Sequence, residues 1–161
     1  MTTATRTITV ARPVGDVFTF FADAERDPLW RTEVLSARRR PGTDPSARGT
    51  GQGTRYDQEL RGPGGRVVRA TAEVTEHVPH GSVAFVADAR GLRRRRRYVF
   101  ADLGGGRTSV TLTIDAEPTG PLGFLRRSEV QEWADDAVGS LAWAKALLES
   151  GRPAPVRQRR H

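Results

Sequence analysis

The sequence predicts a single α+β domain: a curved antiparallel sheet of about seven strands wraps around a long C-terminal helix, and two short helices follow the first strand. Three features point to it. A strand runs at once into an amphipathic helix near the N-terminus. Hairpin signals between Thr54 and Glu117 come with apolar residues that all select one face. A final helical stretch is large enough to cover that face.

Arg6 to Ala11 alternates and puts Ile8 and Val10 on one side of a short strand. Pro13 suits a helix start, because its fixed φ and missing N–H cost nothing in the first turn. Val14, Val17, Phe18 and Phe21 follow at helical spacing, and the segment from Asp23 to Pro28 stops them. Asp27-Pro28-Leu29-Trp30 reads as a turn or second short helix, Glu33 to Arg38 as the next strand, and Arg39 to Gly53 as a long loop. Four turn signals, Gly62-Pro63-Gly64-Gly65, Pro79-His80-Gly81, Arg90-Gly91 and Gly104-Gly105-Gly106, then divide five strands. From about Phe124 to Ser150 the stripe Val130, Trp133, Ala134, Ala137, Leu141, Lys145 and Leu148 marks a helix, which Gly151 and Pro153 end. The domain is expected to fill residues 1–151, with 152–161 a disordered basic tail.

Residues paired across an antiparallel hairpin point the same way, so the strands test one another. A two-residue Arg90-Gly91 turn pairs Phe85 with Arg96, Ala87 with Arg94 and Val83 with Tyr98. Plausible loops on either side align Val74 with Phe85 and Phe100 with Val110. Leu60, Val68, Ala70, Ala72, Val74, Phe85, Ala87, Tyr98, Phe100, Val110, Leu112 and Ile114 then share one side, while Arg69, Thr71, Glu73, Asp88, Arg93, Arg95, Thr111, Thr113 and Asp115 take the other. A sheet wet on one side must cover the other, and the final helix is the only segment large enough.

The chain of 161 residues has no cysteine, which excludes disulfides, thiolate metal sites and cysteine nucleophiles. Its N-terminus lacks the apolar core of a signal peptide, and no segment approaches the roughly 20 apolar residues of a membrane span, so a cytoplasmic location is expected. The formal charge is +7, and of 26 basic residues only Lys145 is not arginine. That charge suits an anionic partner such as nucleic acid, but arginine is spread along the whole chain, as a compositional habit would also spread it.

The order of strand, helix pair, six strands and long helix resembles the START-like helix-grip superfamily, in particular its polyketide cyclase/dehydrase (SRPBCC) branch. The resemblance rests on Ile8-Thr9-Val10-Ala11-Arg12-Pro13-Val14 leading into Asp16-Val17-Phe18, on Pro28-Leu29-Trp30, on Gly106-Arg107-Thr108-Ser109-Val110-Thr111-Leu112, and on the closing Leu141-Ala142-Trp143-Ala144-Lys145-Ala146-Leu147-Leu148-Glu149. It implies a pocket between sheet and helix for a hydrophobic molecule, polyketide or other aromatic or lipid-like, with polyketide cyclase or aromatase activity as one outcome. A non-catalytic lipid or quinone carrier or sensor is the alternative. A third is a ribosome- or RNA-associated module using outward Arg69, Arg93, Arg95 and Arg97, although that face has no base-stacking aromatics.

Tyr56, Gln58, Arg96 and Tyr98 fall on the inward face, and Arg94 joins them near the strand's end. A buried guanidinium is costly unless paired, so an inward Arg96 should meet a carboxylate, a phenol oxygen or an anionic ligand. A long stem can also carry its charge to the rim: Arg96 stays open between cavity and rim, and Arg94 is expected at the rim. The catalytic candidates are Arg96, which could stabilise an enolate, and Tyr98 and Tyr56, which could orient or protonate a carbonyl; simple core packing is the competing reading of both tyrosines. The ligand-binding candidates are Trp30, Gln58, Ala72, Phe85, Phe100, Leu112, Trp133 and Ala137, with the small alanines expected to leave space beneath the helix. Trp143 is expected to pack against the first strand or early helices. His77 and His80 read as solvated loop residues, no metal or cofactor is expected, and no glycine-rich phosphate cradle opens a helix.

Overall fold

The computed structural model describes residues 2–41, 51–61, 65–89, 91–119 and 127–151, with side chains of the last segment from residue 130 onward. The expected basic tail, the tip of the long loop and the turn residues 62–64 and 90 lie outside the described residues.

The elements are β1 (Thr2–Val10), α1 (Val14–Ala22), a 3₁₀ helix (Ala24–Leu29), β2 (Val34–Arg39), β3 (Arg55–Arg61), β4 (Val67–Val78), β5 (Ser82–Ala89), β6 (Leu92–Gly104), β7 (Arg107–Pro118), α2 (Arg127–Gly139) and α3 (Leu141–Glu149). Seven strands form one antiparallel sheet in the order β1-β7-β6-β5-β4-β3-β2. The five pairings expected from hairpin parity all occur: Phe85 with Arg96, Ala87 with Arg94, Val83 with Tyr98, Val74 with Phe85, and Phe100 with Val110. Gly91 holds φ +71°, the left-handed backbone that a tight two-residue hairpin needs and a glycine adopts without a Cβ clash.

The inward face is buried as expected from Leu60 through Ile114, with Ala87 half-buried. Helix α1 buries Val17, Phe18, Phe20 and Phe21 against it, with the Phe18 ring edge-on to Phe100 and Phe21 stacked on Tyr98. Ala134, Ala137, Leu141 and Ala144 of α2 and α3 complete the same core and close the helix-grip arrangement. A smaller cluster of Val34, Leu60, Val68, Ala70 and Ala89 sits toward the β2 end of the sheet.

Three local differences have physical causes. The final helix is divided at Ser140: Gly139 weakens it, and the Ser140 hydroxyl bonds back to the Asp136 carbonyl at 3.2 Å, competing with the helical ladder. A bulge between Val74 and Glu76 reverses the parity of β4, so His77 is half-buried strand rather than solvated loop, its ring 5.3 Å from Phe18. Trp143, expected to pack against the first strand or the early helices, is 63 % exposed on the outer side of α3, because Leu141 and Ala144 are the residues that α3 turns inward.

Candidate functional site

Where the two apolar clusters fail to merge, the inward face carries a chain of charged and polar side chains. The 3₁₀ helix begins at Asp23, whose carboxylate accepts from the Glu25 N–H at 3.0 Å, and its tight turn swings Asp27 under the sheet. Asp27 is 1 % exposed. Its Oδ2 accepts from Arg96 Nη2 at 2.5 Å, from Arg31 Nη1 at 3.0 Å and from Gln58 Nε2 at 3.4 Å. Arg96 also donates through Nη1 to the Tyr98 hydroxyl at 3.0 Å and lies over the Phe85 ring at 4.5 Å. Arg31 continues the chain, donating through Nε to Glu33 Oε1 at 3.0 Å. The inward Arg96 thus meets both a carboxylate and a phenol oxygen, two of the partners its burial requires.

The charges respond to this enclosure. Burial alone would lower the Arg31 pKa, but Glu33 and Asp27 together raise it above its ordinary value. Burial would raise Glu33, but the Arg31 charge and the hydrogen bonds its carboxylate accepts from Arg31 and from the backbone together outweigh that and hold it below the usual range. Tyr98 is pushed up to about 12 by burial, so it is a protonated phenol at neutral pH. Tyr56 is raised too, chiefly by burial, with its oxygen bonded by the Ala24 N–H.

A cavity of about 20 Å³ lies against this network, room for roughly one water. Of the sequence-derived candidates, Gln58, Ala72, Phe85, Arg96 and Trp133 border it. Tyr56, Tyr98, Trp30, Phe100, Leu112 and Ala137 do not; they are buried in the surrounding core. Trp30 packs edge-on against Phe21, and Tyr98 stacks on both Phe21 and Phe100, which also face each other at 6.0 Å. The open space expected above the alanines is taken by Arg31, Gln58, Arg94, Arg96 and Trp133, whose long side chains lie beside Ala70, Ala72 and Ala87.

Arg94, expected at the rim, is half-buried and borders the cavity. Its guanidinium lies 4.7 Å from the Trp133 ring, and its Nε is buried without a hydrogen-bond partner. Sequence reading missed Asp27, Arg31 and Glu33. Asp27 and Arg31 stand four residues apart around the buried Trp30, a helical-turn ion-pair spacing that could have signalled them. Among the described residues no cluster of His, Asp or Glu could hold a metal, and no described helix is long and apolar enough to cross a membrane.

A curved antiparallel sheet gripping a C-terminal helix defines a START-like helix-grip protein. Residues 1–148 match the family described as "Polyketide cyclase / dehydrase and lipid transport", and the chain belongs to that family. A START superfamily protein from Mycobacterium smegmatis superposes with a TM-score of 0.73 at 16 % identity, covering 92 % of this chain and 97 % of that one. A protein from Thermus thermophilus gives 0.70 at 23 % identity over 94 % and 99 % of the two chains. The Zhui aromatase/cyclase from a Streptomyces species gives 0.66 at 16 % identity over 92 % and 91 %. Likeness at these identities concerns the fold. No curated protein matches the sequence.

Proposed function

We propose that this protein binds a hydrophobic small molecule, polyketide or other aromatic or lipid-like, between the sheet and α2, with Arg96 meeting an oxygen of the ligand. The observation that carries this reading is the cavity wall itself, where Arg96, Gln58 and Arg31 stand beside Phe85, Leu60, Ile114 and Trp133. A few fixed polar groups among apolar walls suit a ligand of that kind. Sites for drug-sized molecules measure roughly 300–1,000 Å³, so binding requires Trp133 and its helix to move off the sheet. Asp27 and Tyr98 act through Arg96 and hold its fork in position.

A second reading, polyketide cyclase or aromatase chemistry, is favoured by the same Arg96. A guanidinium fixed by Asp27 in an enclosed site stabilises a developing enolate without reorganising. The RNA-associated alternative has less support. Outward arginines meet carboxylates across the strands, Arg93 with Asp88 at 3.1 Å and Arg97 with Glu76 at 2.7 Å, which divides the face into alternating signs rather than a basic stripe.

Fluorescence titration with 1-anilinonaphthalene tests the binding reading. Saturable one-to-one binding with energy transfer from Trp133 is expected, and Trp133→Phe should remove most of the transfer while binding persists. Binding that never saturates, or transfer unaffected by Trp133→Phe, places the probe elsewhere and defeats the proposal.

A further inference from the structure

Four arginines border the cavity; Arg95 is exposed on the outward face of β6, which leaves the guanidinium groups of Arg31, Arg94 and Arg96 on the inward side. Two carboxylates serve them. Asp27 accepts from both Arg31 and Arg96, and Glu33 accepts from Arg31. Arg94 has no carboxylate within ion-pair distance among the described residues, and its Nε is enclosed with no acceptor. Its neighbours across the strands are Ala87 and Ala116, so the register alone would accept any apolar side chain at this inward position. Its planar group instead lies over the Trp133 indole, which fixes the fork's orientation but supplies no negative charge. Burial first, and then the nearby Arg31 charge, pull its pKa down to about 10, which leaves it cationic at neutral pH.

We propose that Arg94 and Trp133 form an anion subsite of the cavity, and that the natural ligand carries a carboxylate that docks on the Arg94 fork while its apolar body lies against Trp133 and Phe85. This inference rests on the ligand-binding reading above and adds the charge of the ligand. The chemistry is specific to Arg94. Arg96 and Arg31 are already neutralised inside the protein, whereas Arg94 is half-buried with its Nε shut off from water and no carboxylate beside it, a partial desolvation cost the ligand-free fold carries until an anion arrives. A carboxylate matches the guanidinium with two parallel hydrogen bonds, and the indole face shields the pair from water.

The test compares 2-naphthoate with its neutral isostere 2-naphthamide by calorimetry on the full chain, in wild type and Arg94→Met, at one ionic strength. Wild type should bind naphthoate at least tenfold more tightly, and Arg94→Met should lose that preference while keeping its affinity for naphthamide. Naphthamide binding without a preference for naphthoate, or a preference that survives Arg94→Met, overturns the anion subsite and leaves the pocket standing. Failure of both probes to bind any variant overturns the pocket and the subsite with it. A ligand-free melt provides an independent arm. Arg94→Met should melt higher than wild type and Arg96→Met lower; an Arg94→Met protein that melts lower, as Arg96→Met does, makes Arg94 a structural residue and ends the proposal.

Discussion

Replacing Asp27 by Leu is the sharpest perturbation of the buried network. Asp27 Oδ2 is the shared acceptor of Arg31, Arg96 and Gln58, and both ion-paired guanidinium side chains are nearly as buried as the carboxylate they face. Their losses are unequal. Arg31 retains Glu33 at 2.8 Å, while Arg96 is left with the neutral Tyr98 oxygen at 3.0 Å. One cation is therefore stranded, and breaking a buried pair in this way costs about 3–5 kcal/mol. The water-sized cavity beside Arg96 permits partial hydration and sets the expectation at the lower end, about 3 kcal/mol. For a domain of this length that is a fall in melting temperature of roughly 6–12 °C. The control is the double variant Asp27→Leu with Arg96→Met, which exchanges both charges for apolar groups and should recover most of the loss. Urea titrations of wild type, both single variants and the double variant would measure it. A loss below about 1 kcal/mol in Asp27→Leu, or a double variant no more stable than the single, would show that the pair contributes nothing to the fold.

Two further outcomes follow from the same geometry. The folded-state pKa of Glu33 lies below its usual 4.5, so its contribution to stability is complete above that value and disappears as pH falls through the lower folded one. Glu33→Gln should therefore flatten the acid limb of a stability–pH profile below about pH 4.5, and an unchanged slope would remove Glu33 from the network. Gly139→Ala should stabilise by about 0.5–1 kcal/mol in a thermal melt, since a Cβ there meets only the flexible Arg6 Nη1 at 3.9 Å and the helix gains a better former. A destabilised variant would mean that the break at Ser140 is required by packing.

How far the sequence reached depended on whether a constraint was local. Phe85 and Arg96 could be paired because a two-residue turn fixes parity for the whole hairpin, and each apolar neighbour then checked the next. The bulge at Val74/Glu76 could not be read this way: one extra residue leaves no compositional trace, yet it reverses the side on which His77 points. The need of Arg96 for an acceptor was legible from its face, but which carboxylate answers it was not. Asp27 lies 69 positions away and arrives through the turn of a 3₁₀ helix that periodicity does not describe. The cavity was misjudged for a related reason. Counting small residues measures the space that backbone neighbours leave, whereas the arginine and tryptophan side chains that fill it are anchored on other elements.

The pairing of β1 with β7 sets an order of events for the newborn chain. Thr3 meets Asp115 at a separation of 112 residues, so the first strand must wait, unpaired, while nearly the whole sheet is translated. At ordinary elongation speeds that wait is on the order of 5–20 s, long compared with the formation of any hairpin in between. The threonines at 3, 5 and 7, which end up hydrogen-bonded to β7, meanwhile give the waiting strand a hydrophilic side and make it a poor seed for association with other nascent chains.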